Sequence, residues 1–130
     1  MFEATVEASF SAAHHLRNYP GKCAQNHGHN FRVRVTVEGQ ELDELGMLID
    51  FGLLKGWVRE ICETLDHQSL NDLAAFSRIN PTTENVAAYI ARQVAERLRA
   101  SAGTRVRVQR VWVQETDTNV AVFRPAPDAD

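Results

Sequence analysis

Two segments in which apolar and polar residues alternate strictly constrain the fold of this chain more than any other feature. In residues 2–10 every even-numbered side chain is apolar, and in residues 31–38 every odd-numbered side chain is apolar. Because side chains of a β-strand point alternately to opposite faces, each segment predicts a strand with one buried face. We expect the two strands to be antiparallel neighbours, joined by a functional loop.

Helical spacing of apolar residues follows in the middle of the chain. Asp50 is a predicted N-cap for a helix over about 51–65, whose apolar face contains Leu54, Val58, Ile61 and Leu65. Residues 66–80 are predicted to be irregular. A second helix opens at Pro81-Thr82-Thr83-Glu84-Asn85, stops at Gly103 and carries an apolar stripe of Val86, Ile90, Val94 and Leu98.

The last part of the chain predicts two more strands. In the first of these, Val106 and Val108 set an apolar phase that slips by one residue before Val111 and Val113. The slip predicts a β-bulge between Gln109 and Arg110. A tight turn at 117–119 then leads into a final strand over 120–123.

The order of elements is therefore ββααββ. It predicts an α+β fold in which both helices pack on one face of a four-stranded antiparallel sheet. At 130 residues the chain is expected to form a single domain, residues 1–130, with a frayed acidic tail from about residue 125. The two exposed sheet edges predict oligomerisation.

Composition excludes several classes of function. The net charge of −3, without a basic stripe, argues against a nucleic-acid partner. No apolar run reaches the roughly 18 residues of a membrane span, and the N-terminus has no signal-peptide pattern, so we expect a cytoplasmic protein. Cys23 and Cys62 can pair in principle, but two free thiols are the simpler interpretation.

Histidines cluster between the first two strands and predict a metal site. His27 and His29 lie two apart and share one face of a strand, and parity places His14 on the same side and His15 away from it. Three imidazoles suit zinc and leave a fourth position open, as in catalytic sites. Two alternatives remain: polar loop histidines without metal, and a structural site that Cys23 closes as a fourth ligand.

Five motifs in order resemble those of the 6-pyruvoyltetrahydropterin synthase / 6-carboxytetrahydropterin synthase family, from about residue 3 to 124. They are Phe10-Ser11-Ala12-Ala13-His14, Cys23-x-x-x-His27-Gly28-His29, Asp66-His67, Pro81-Thr82-Thr83-Glu84-Asn85 and Glu115-Thr116. The resemblance implies a T-fold, in which three subunits join edge to edge into a β-barrel and two trimers stack into a homohexamer. Sites then lie at subunit boundaries, and the barrel lumen is lined or approached by Glu3, Glu7, Arg32 and Arg34.

The resemblance also assigns roles to individual residues. It implies that His14, His27 and His29 bind Zn²⁺, and that Cys23 is the catalytic thiol working with the Asp66-His67 dyad. Glu115 would anchor the pterin ring, with Thr82, Thr83 and Glu84 in or near the same pocket. Each has a plainer alternative: Asp66-His67 as a helix C-cap, the threonines and Glu84 as a helix N-cap, Glu115 as a solvated charge, and Cys23 as an inert thiol.

The spacing of three residues between Cys23 and His27, and the segment 46–51, resemble the bacterial 6-carboxytetrahydropterin synthases of queuosine and deazapurine biosynthesis. This implies a lyase that converts 7,8-dihydroneopterin triphosphate to 6-carboxy-5,6,7,8-tetrahydropterin, acetaldehyde and triphosphate. One alternative is a 6-pyruvoyltetrahydropterin synthase, which eliminates triphosphate without breaking a carbon–carbon bond. Another is a zinc-stabilised pterin-binding module without turnover. No residue is assigned to the triphosphate, although Arg17, Lys22, Arg32 and Arg34 are candidates.

Overall fold

The computed structural model describes residues 1–126, so the far end of the predicted acidic tail lies outside the described residues. The strands and helices are β1 (Phe2–His14), β2 (His27–Gly39), α1 (Phe51–Leu65), α2 (Thr83–Ala102), β3 (Arg107–Thr116) and β4 (Asn119–Phe123). The sheet has the order β1-β2-β3-β4, and every neighbouring pair is antiparallel. The predicted α+β fold with two helices on a four-stranded antiparallel sheet is confirmed, whereas the trimeric barrel stays a prediction.

The predicted phase of the first two strands is correct, but both strands are longer than expected. Pairing continues from Phe10↔Phe31 to His14↔His27, so the even face of β1 stays inward through His14. The predicted first strand ended at residue 10 because the run Ser11-Ala12-Ala13 has weak strand propensity. Tertiary contacts hold it extended: the Ala13 N–H donates to the Gln68 carbonyl at 2.9 Å, and residues 66–69 cover this part of the β1 edge.

Both helices begin and end where the sequence predicts, and the caps explain why. The Asp50 carboxylate accepts from the Gly52 N–H at 2.7 Å, and the Thr82 hydroxyl accepts from the Asn85 N–H at 3.1 Å. Gly103 ends α2 in a conformation with φ of +60°. The predicted apolar stripes form the core against the sheet, with Leu54, Val58, Leu65, Ile90 and Val94 all fully buried. No helix within the described chain is long and apolar enough to cross a membrane.

The predicted β-bulge in β3 determines which face Glu115 occupies. Thr36 pairs with Arg110 and Val37 with Val108, so Gln109 is the extra residue. The buried side chains of β3 change from even to odd numbers across this point: Val108 is buried before the bulge, and Val111 and Val113 after it. Because of the bulge, Glu115 continues the inward face instead of pointing to the opposite side of the sheet.

The face of the sheet away from the helices carries charged side chains that form ion pairs. The Glu7 carboxylate contacts both Arg32 and Arg34, and these hydrogen bonds lower its pKa below the usual range. The Arg34 guanidinium also lies 4.2 Å from the centre of the Trp112 ring. These contacts are made within one subunit. The position of this face in a barrel lumen stays a prediction.

Gly39 provides a test of how tightly the end of β2 packs. A Cβ at this position would lie 2.6 Å from the Arg105 carbonyl oxygen and 2.8 Å from Leu48 Cδ1, and the former is backbone that cannot rotate away. We expect Gly39→Ala to lower the free energy of unfolding by about 1–3 kcal/mol. Gly56→Ala in α1 is the matched control, since its Cβ meets nothing within 4 Å.

Helix propensity predicts that Gly56→Ala will raise stability by about 0.5–1 kcal/mol. Urea unfolding followed by circular dichroism measures both variants against the wild type. A Gly39→Ala variant as stable as the wild type would show that the Arg105 backbone is free to move.

Candidate metal centre and its cavity

Three imidazoles and one carboxylate converge where β1, β2 and β3 meet. One ligand atom from each of His14, His27, His29 and Glu115 lies within 4.8 Å of all the others. The antiparallel register produces the cluster: His14 is opposite His27, and His29 lies two residues further along the same face. His15 is not part of this group among the described residues. The geometry that parity predicts for the three histidines is therefore present, and their role as ligands stays a prediction.

Carbonyl groups fix the tautomer of two of these rings. His14 Nδ1 donates to the Pro81 carbonyl at 2.6 Å, and His27 Nδ1 donates to the Gln25 carbonyl at 2.8 Å. Because a carbonyl oxygen can only accept, Nδ1 carries the hydrogen in each ring, and the Nε2 of each neutral ring presents a lone pair. Metal-binding histidines in proteins are commonly oriented by such second hydrogen bonds.

The burial of His14 supports a metal ligand rather than a solvated histidine. His14 is only 2% exposed, and its Nε2 has no hydrogen-bond partner among the described residues. An unpartnered buried nitrogen is costly unless a ligand outside the chain satisfies it. Burial also lowers the pKa of His29, against the opposing effect of the Glu115 charge, and favours the neutral ring that a metal requires. The donor set thus fits a divalent metal ion.

An open cavity of about 760 Å³ lies over this cluster. Its walls include Cys23, which belongs to a 3₁₀ turn at Lys22–Ala24, and the start of α2 at Thr82, Thr83 and Glu84. The volume is in the range of small-molecule sites. Cys23 is exposed and lies outside the group of converging ligand atoms, so the alternative of a structural site closed by its thiol finds no support in this arrangement.

The backbone of Cys23, not its thiol, holds the turn in position. The Cys23 carbonyl accepts from the Leu16 N–H at 2.7 Å, which connects the turn to the chain just after β1. Thr82, which also lines the cavity, accepts from the Asn85 N–H through its hydroxyl and so caps α2, which confirms the predicted capping role. Thr83 is buried at 8% exposure, and the roles of both threonines in binding stay predictions.

Asp66 and His67 do not line this cavity. They lie at the outer edge of β1, where Asp66 Oδ1 accepts from the Ser11 N–H at 2.8 Å and Oδ2 accepts from His67 Nδ1 at 2.8 Å. The hydrogen bond from the Ser11 N–H has the largest effect in lowering the pKa of the Asp66 carboxyl, and the hydrogen bond from His67 lowers it further. Asp66 also ends α1, since its N–H donates to the Cys62 carbonyl at 2.9 Å, so the predicted C-cap is present as well.

His67 has an unusual backbone and an exposed ring. Its φ is +57°, a left-handed conformation that few residues other than glycine adopt, and its side chain is 83% exposed. The His67 N–H donates to the Ser11 carbonyl at 2.6 Å, which fixes this conformation at the strand edge. Such local strain is found preferentially at functional sites. The dyad therefore points away from its own chain's cavity, toward the surface beside β1.

Three polar side chains to which the sequence assigned no structural role, those of Arg17, Asn71 and Asn80, hold the metal cluster in place. The Arg17 guanidinium donates to the Phe76 carbonyl at 2.8 Å and the Ile79 carbonyl at 3.0 Å. The Asn80 side chain pairs with both backbone groups of Arg17, and the Asn71 side chain pairs likewise with those of His15. These contacts fix residues 71–81 against the end of β1 and bring the Pro81 carbonyl to His14. Arg17, a candidate for the triphosphate, is occupied by this role.

The two cysteines should differ sharply in reactivity. Cys62 is buried, and desolvation raises its pKa to about 12, whereas Cys23 is exposed on the cavity wall. A thiol with this pKa is only about 10⁻⁴ ionised at pH 8. We expect Ellman's reagent to titrate one thiol rapidly in the native protein and both after unfolding in guanidinium.

A Cys23→Ala variant should then show no rapid thiol before unfolding. Rapid modification of Cys62 in the folded protein would contradict its position on the buried face of α1.

The sequence matches a known protein family and several of its members. The family described as 6-pyruvoyl tetrahydropterin synthase matches residues 3–126. The chain is 40% identical over 129 residues to the 6-carboxy-5,6,7,8-tetrahydropterin synthase of Bacillus subtilis, an alignment covering 95% of this chain and 86% of that protein. It is 35% identical over 130 residues to the 6-pyruvoyl tetrahydrobiopterin synthase of Homo sapiens, covering 89% and 86%.

A solved structure agrees with these sequence matches. The 6-pyruvoyl tetrahydropterin synthase of Caenorhabditis elegans superimposes with a TM-score of 0.79 at 30% sequence identity, over 97% of this chain and 98% of that one. The similarity therefore extends over the sheet, both helices and the loops that carry the cavity.

Proposed function

The chain belongs to the 6-pyruvoyl tetrahydropterin synthase family, and on this basis we propose that it converts 7,8-dihydroneopterin triphosphate to 6-carboxy-5,6,7,8-tetrahydropterin, acetaldehyde and triphosphate. The resemblance stated from the motifs is thereby confirmed, as is the assignment to a family of synthases. One structural observation carries the proposal. Three imidazoles converge at one wall of a cavity that also contains the Cys23 thiol.

The three histidines would hold Zn²⁺ through the Nε2 atoms of His14 and His27 and a ring nitrogen of His29. A bound zinc supplies Lewis acidity, which acidifies a substrate hydroxyl and polarises a carbonyl group. The carbonyl groups of Pro81 and Gln25 keep two of the rings in the required tautomer. Zinc is proposed from the ligand type, because neutral imidazole is among its preferred ligands.

Cys23 and the Asp66-His67 dyad would move the protons. The exposed thiol lies on the cavity wall, where its thiolate can remove a proton from a carbon of the substrate side chain. Asp66 is hydrogen-bonded to His67 Nδ1, which orients the ring and leaves Nε2 for proton transfer. Glu115 would accept two hydrogen bonds from the amino and ring N–H groups of the pterin, near Thr82, Thr83 and Glu84.

A neighbouring subunit would supply the dyad. Asp66 and His67 lie at the β1 edge and outside their own chain's cavity, so a site that uses both needs a second copy. Exposed apolar side chains occur on the two edge strands, at Phe2 on β1 and at Val120 and Val122 on β4, which suits edge-to-edge pairing. We propose a cytoplasmic homohexamer of two trimeric barrels, each subunit a single T-fold domain.

The choice of the carboxy product over the pyruvoyl product rests on the spacing between Cys23 and His27. This spacing resembles that of the 6-carboxytetrahydropterin synthases of queuosine biosynthesis. The direct test is to incubate the zinc-loaded protein with 7,8-dihydroneopterin triphosphate and to identify the products by mass spectrometry. Acetaldehyde with 6-carboxytetrahydropterin is the expected result. A pyruvoyl product without acetaldehyde would instead identify the chain as a 6-pyruvoyltetrahydropterin synthase. The 35% identity to the human synthase makes this the second candidate activity. Unchanged substrate would contradict both and favour a binding module.

A further inference from the structure

The Arg17 side chain connects the end of β1 to the segment that leads into α2. Its Nη2 donates to the Phe76 carbonyl at 2.8 Å and to the Asn71 carbonyl at 3.3 Å, and its Nη1 donates to the Ile79 carbonyl at 3.0 Å. A planar guanidinium can hold several acceptors at once, because its N–H donors point outward in a fixed fork. One side chain therefore fixes the backbone of residues 71–79 at three points.

The backbone of Arg17 is held by the same segment, directly before Pro81. The Asn80 side chain accepts from the Arg17 N–H at 2.8 Å and donates to the Arg17 carbonyl at 3.1 Å. The Asn80 carbonyl accepts in turn from the Asn85 side chain, in the first turn of α2, at 2.8 Å. Because Asn80 and Pro81 are joined by a peptide bond, these contacts restrict where the Pro81 carbonyl can lie.

The Pro81 carbonyl decides which nitrogen of His14 is available to a metal. It lies 2.6 Å from Nδ1 of a ring that is only 2% exposed. With the hydrogen on Nδ1, Nε2 keeps its lone pair, whereas the other tautomer carries the hydrogen on Nε2 and cannot bind a metal through that atom. An acceptor on the far nitrogen also makes the ring a stronger ligand. Loss of this contact should therefore weaken metal binding although every ligand remains.

We propose that Arg17 is a positioning residue of the metal centre: it holds residues 71–81 so that the Pro81 carbonyl keeps His14 Nε2 available to the metal. The inference rests on the metal site of the proposed function and goes beyond it, because metal affinity then depends on a side chain that does not touch the metal. By linkage the dependence is mutual, so a bound metal should also stabilise the fixed arrangement of residues 71–81.

The sign of the effect separates positioning from simple electrostatics. Arg17 follows His14 by three residues, and a guanidinium near the site repels a divalent cation. Removal of this charge alone would therefore leave the metal affinity unchanged or raise it. Positioning through Pro81 predicts the opposite result, a weaker site when the guanidinium is removed.

Cobalt binding to the metal-free protein measures this effect without turnover. Competition with a chromophoric chelator gives the Co²⁺ affinity, and urea unfolding of the metal-free protein measures stability separately. We expect Arg17→Met, which keeps much of the apolar stem, to weaken Co²⁺ binding about tenfold, at the lower end of the range for losing a hydrogen bond to a metal-binding histidine. Arg17→Lys keeps one donor group without the fork and should fall between Arg17→Met and the wild type.

Arg78→Met is the matched control, since it removes the same charge from an exposed residue of the same segment. Its Co²⁺ affinity should stay within about twofold of that of the wild type. Equal or tighter Co²⁺ binding by Arg17→Met would overturn the proposal even with a loss of stability, because a merely structural arginine changes stability alone. If Arg17→Met does not fold, Arg17→Lys with wild-type affinity would overturn it. A wild type that binds no Co²⁺ would contradict the proposed metal site together with this inference.

Hydrogen exchange followed by mass spectrometry tests the route of the effect. The Leu73 and Phe76 N–H groups donate to the Leu70 and Leu73 carbonyls, so peptides that cover residues 71–81 report the order of this segment. These peptides should exchange faster in metal-free Arg17→Met than in the metal-free wild type, and Co²⁺ should restore part of the protection. Weaker Co²⁺ binding with unchanged exchange in residues 71–81 would overturn the role of the segment.

Discussion

A Cys23→Ala variant should keep its fold and its metal and lose turnover by about 10²- to 10⁴-fold, the contribution of a positioned acid–base group. The thiol lies on the cavity wall but outside the converging ligand atoms, so its removal leaves the donor set intact. The Cys23 backbone, not its side chain, connects the turn to Leu16. Thermal unfolding, zinc content after gel filtration and the rate of product formation are the three measurements.

Cys62→Ala is the matched control, because it removes the other thiol, which lies on the buried face of α1. That variant should lose some stability from the buried position and keep its turnover at 25 °C. If Cys23→Ala instead loses zinc and stability together, Cys23 is a structural ligand and the open catalytic site is wrong.

Mixing two inactive variants should restore activity if the Asp66-His67 dyad serves a neighbour's cavity. His67→Asn is suited to this test, because asparagine tolerates the left-handed backbone at this position, where φ is +57°. Alone, His67→Asn and Cys23→Ala should each be nearly inactive. When equal amounts are unfolded and refolded together, half the sites have a native Cys23 and half of those meet a native His67. Random assembly therefore restores about one quarter of the wild-type rate.

The control is to mix the two variants after each has been refolded separately, which should restore nothing unless subunits exchange. Recovery in the co-refolded sample would mean that each working site draws on two chains. No recovery, with hexamers present in the co-refolded sample, would place thiol and dyad within one chain and contradict the arrangement proposed from the β1 edge.

Much of the metal cluster was predictable because parity is a local property. Alternation set the inward face of both strands, so the convergence of His14, His27 and His29 needed only that β1 stay extended beyond Phe10. The bulge near Gln109 was visible as a phase slip among valines. The approach of Glu115 to the histidines was not visible, because it depends on how β3 pairs with β2.

Other features depend on contacts between distant parts of the chain. The Pro81 carbonyl reaches His14 only because Arg17, Asn71 and Asn80 fix the connecting segment, and no periodic pattern encodes that contact. The dyad was predicted from its motif, but the outward position of His67 follows from pairing of residues 67–69 with the β1 edge. A short polar segment carries no signal for such pairing.

X-ray absorption at the zinc edge of the loaded, substrate-free protein tests the central claim most directly, because it reads the ligands of the metal itself. The account predicts a shell of only nitrogen and oxygen at about 2.0–2.1 Å, with the outer scattering of three imidazoles. The Cys23→Ala protein should give the same spectrum. A sulfur scatterer at about 2.3 Å that disappears in Cys23→Ala would contradict the account, because the thiol would then close the site it is proposed to serve.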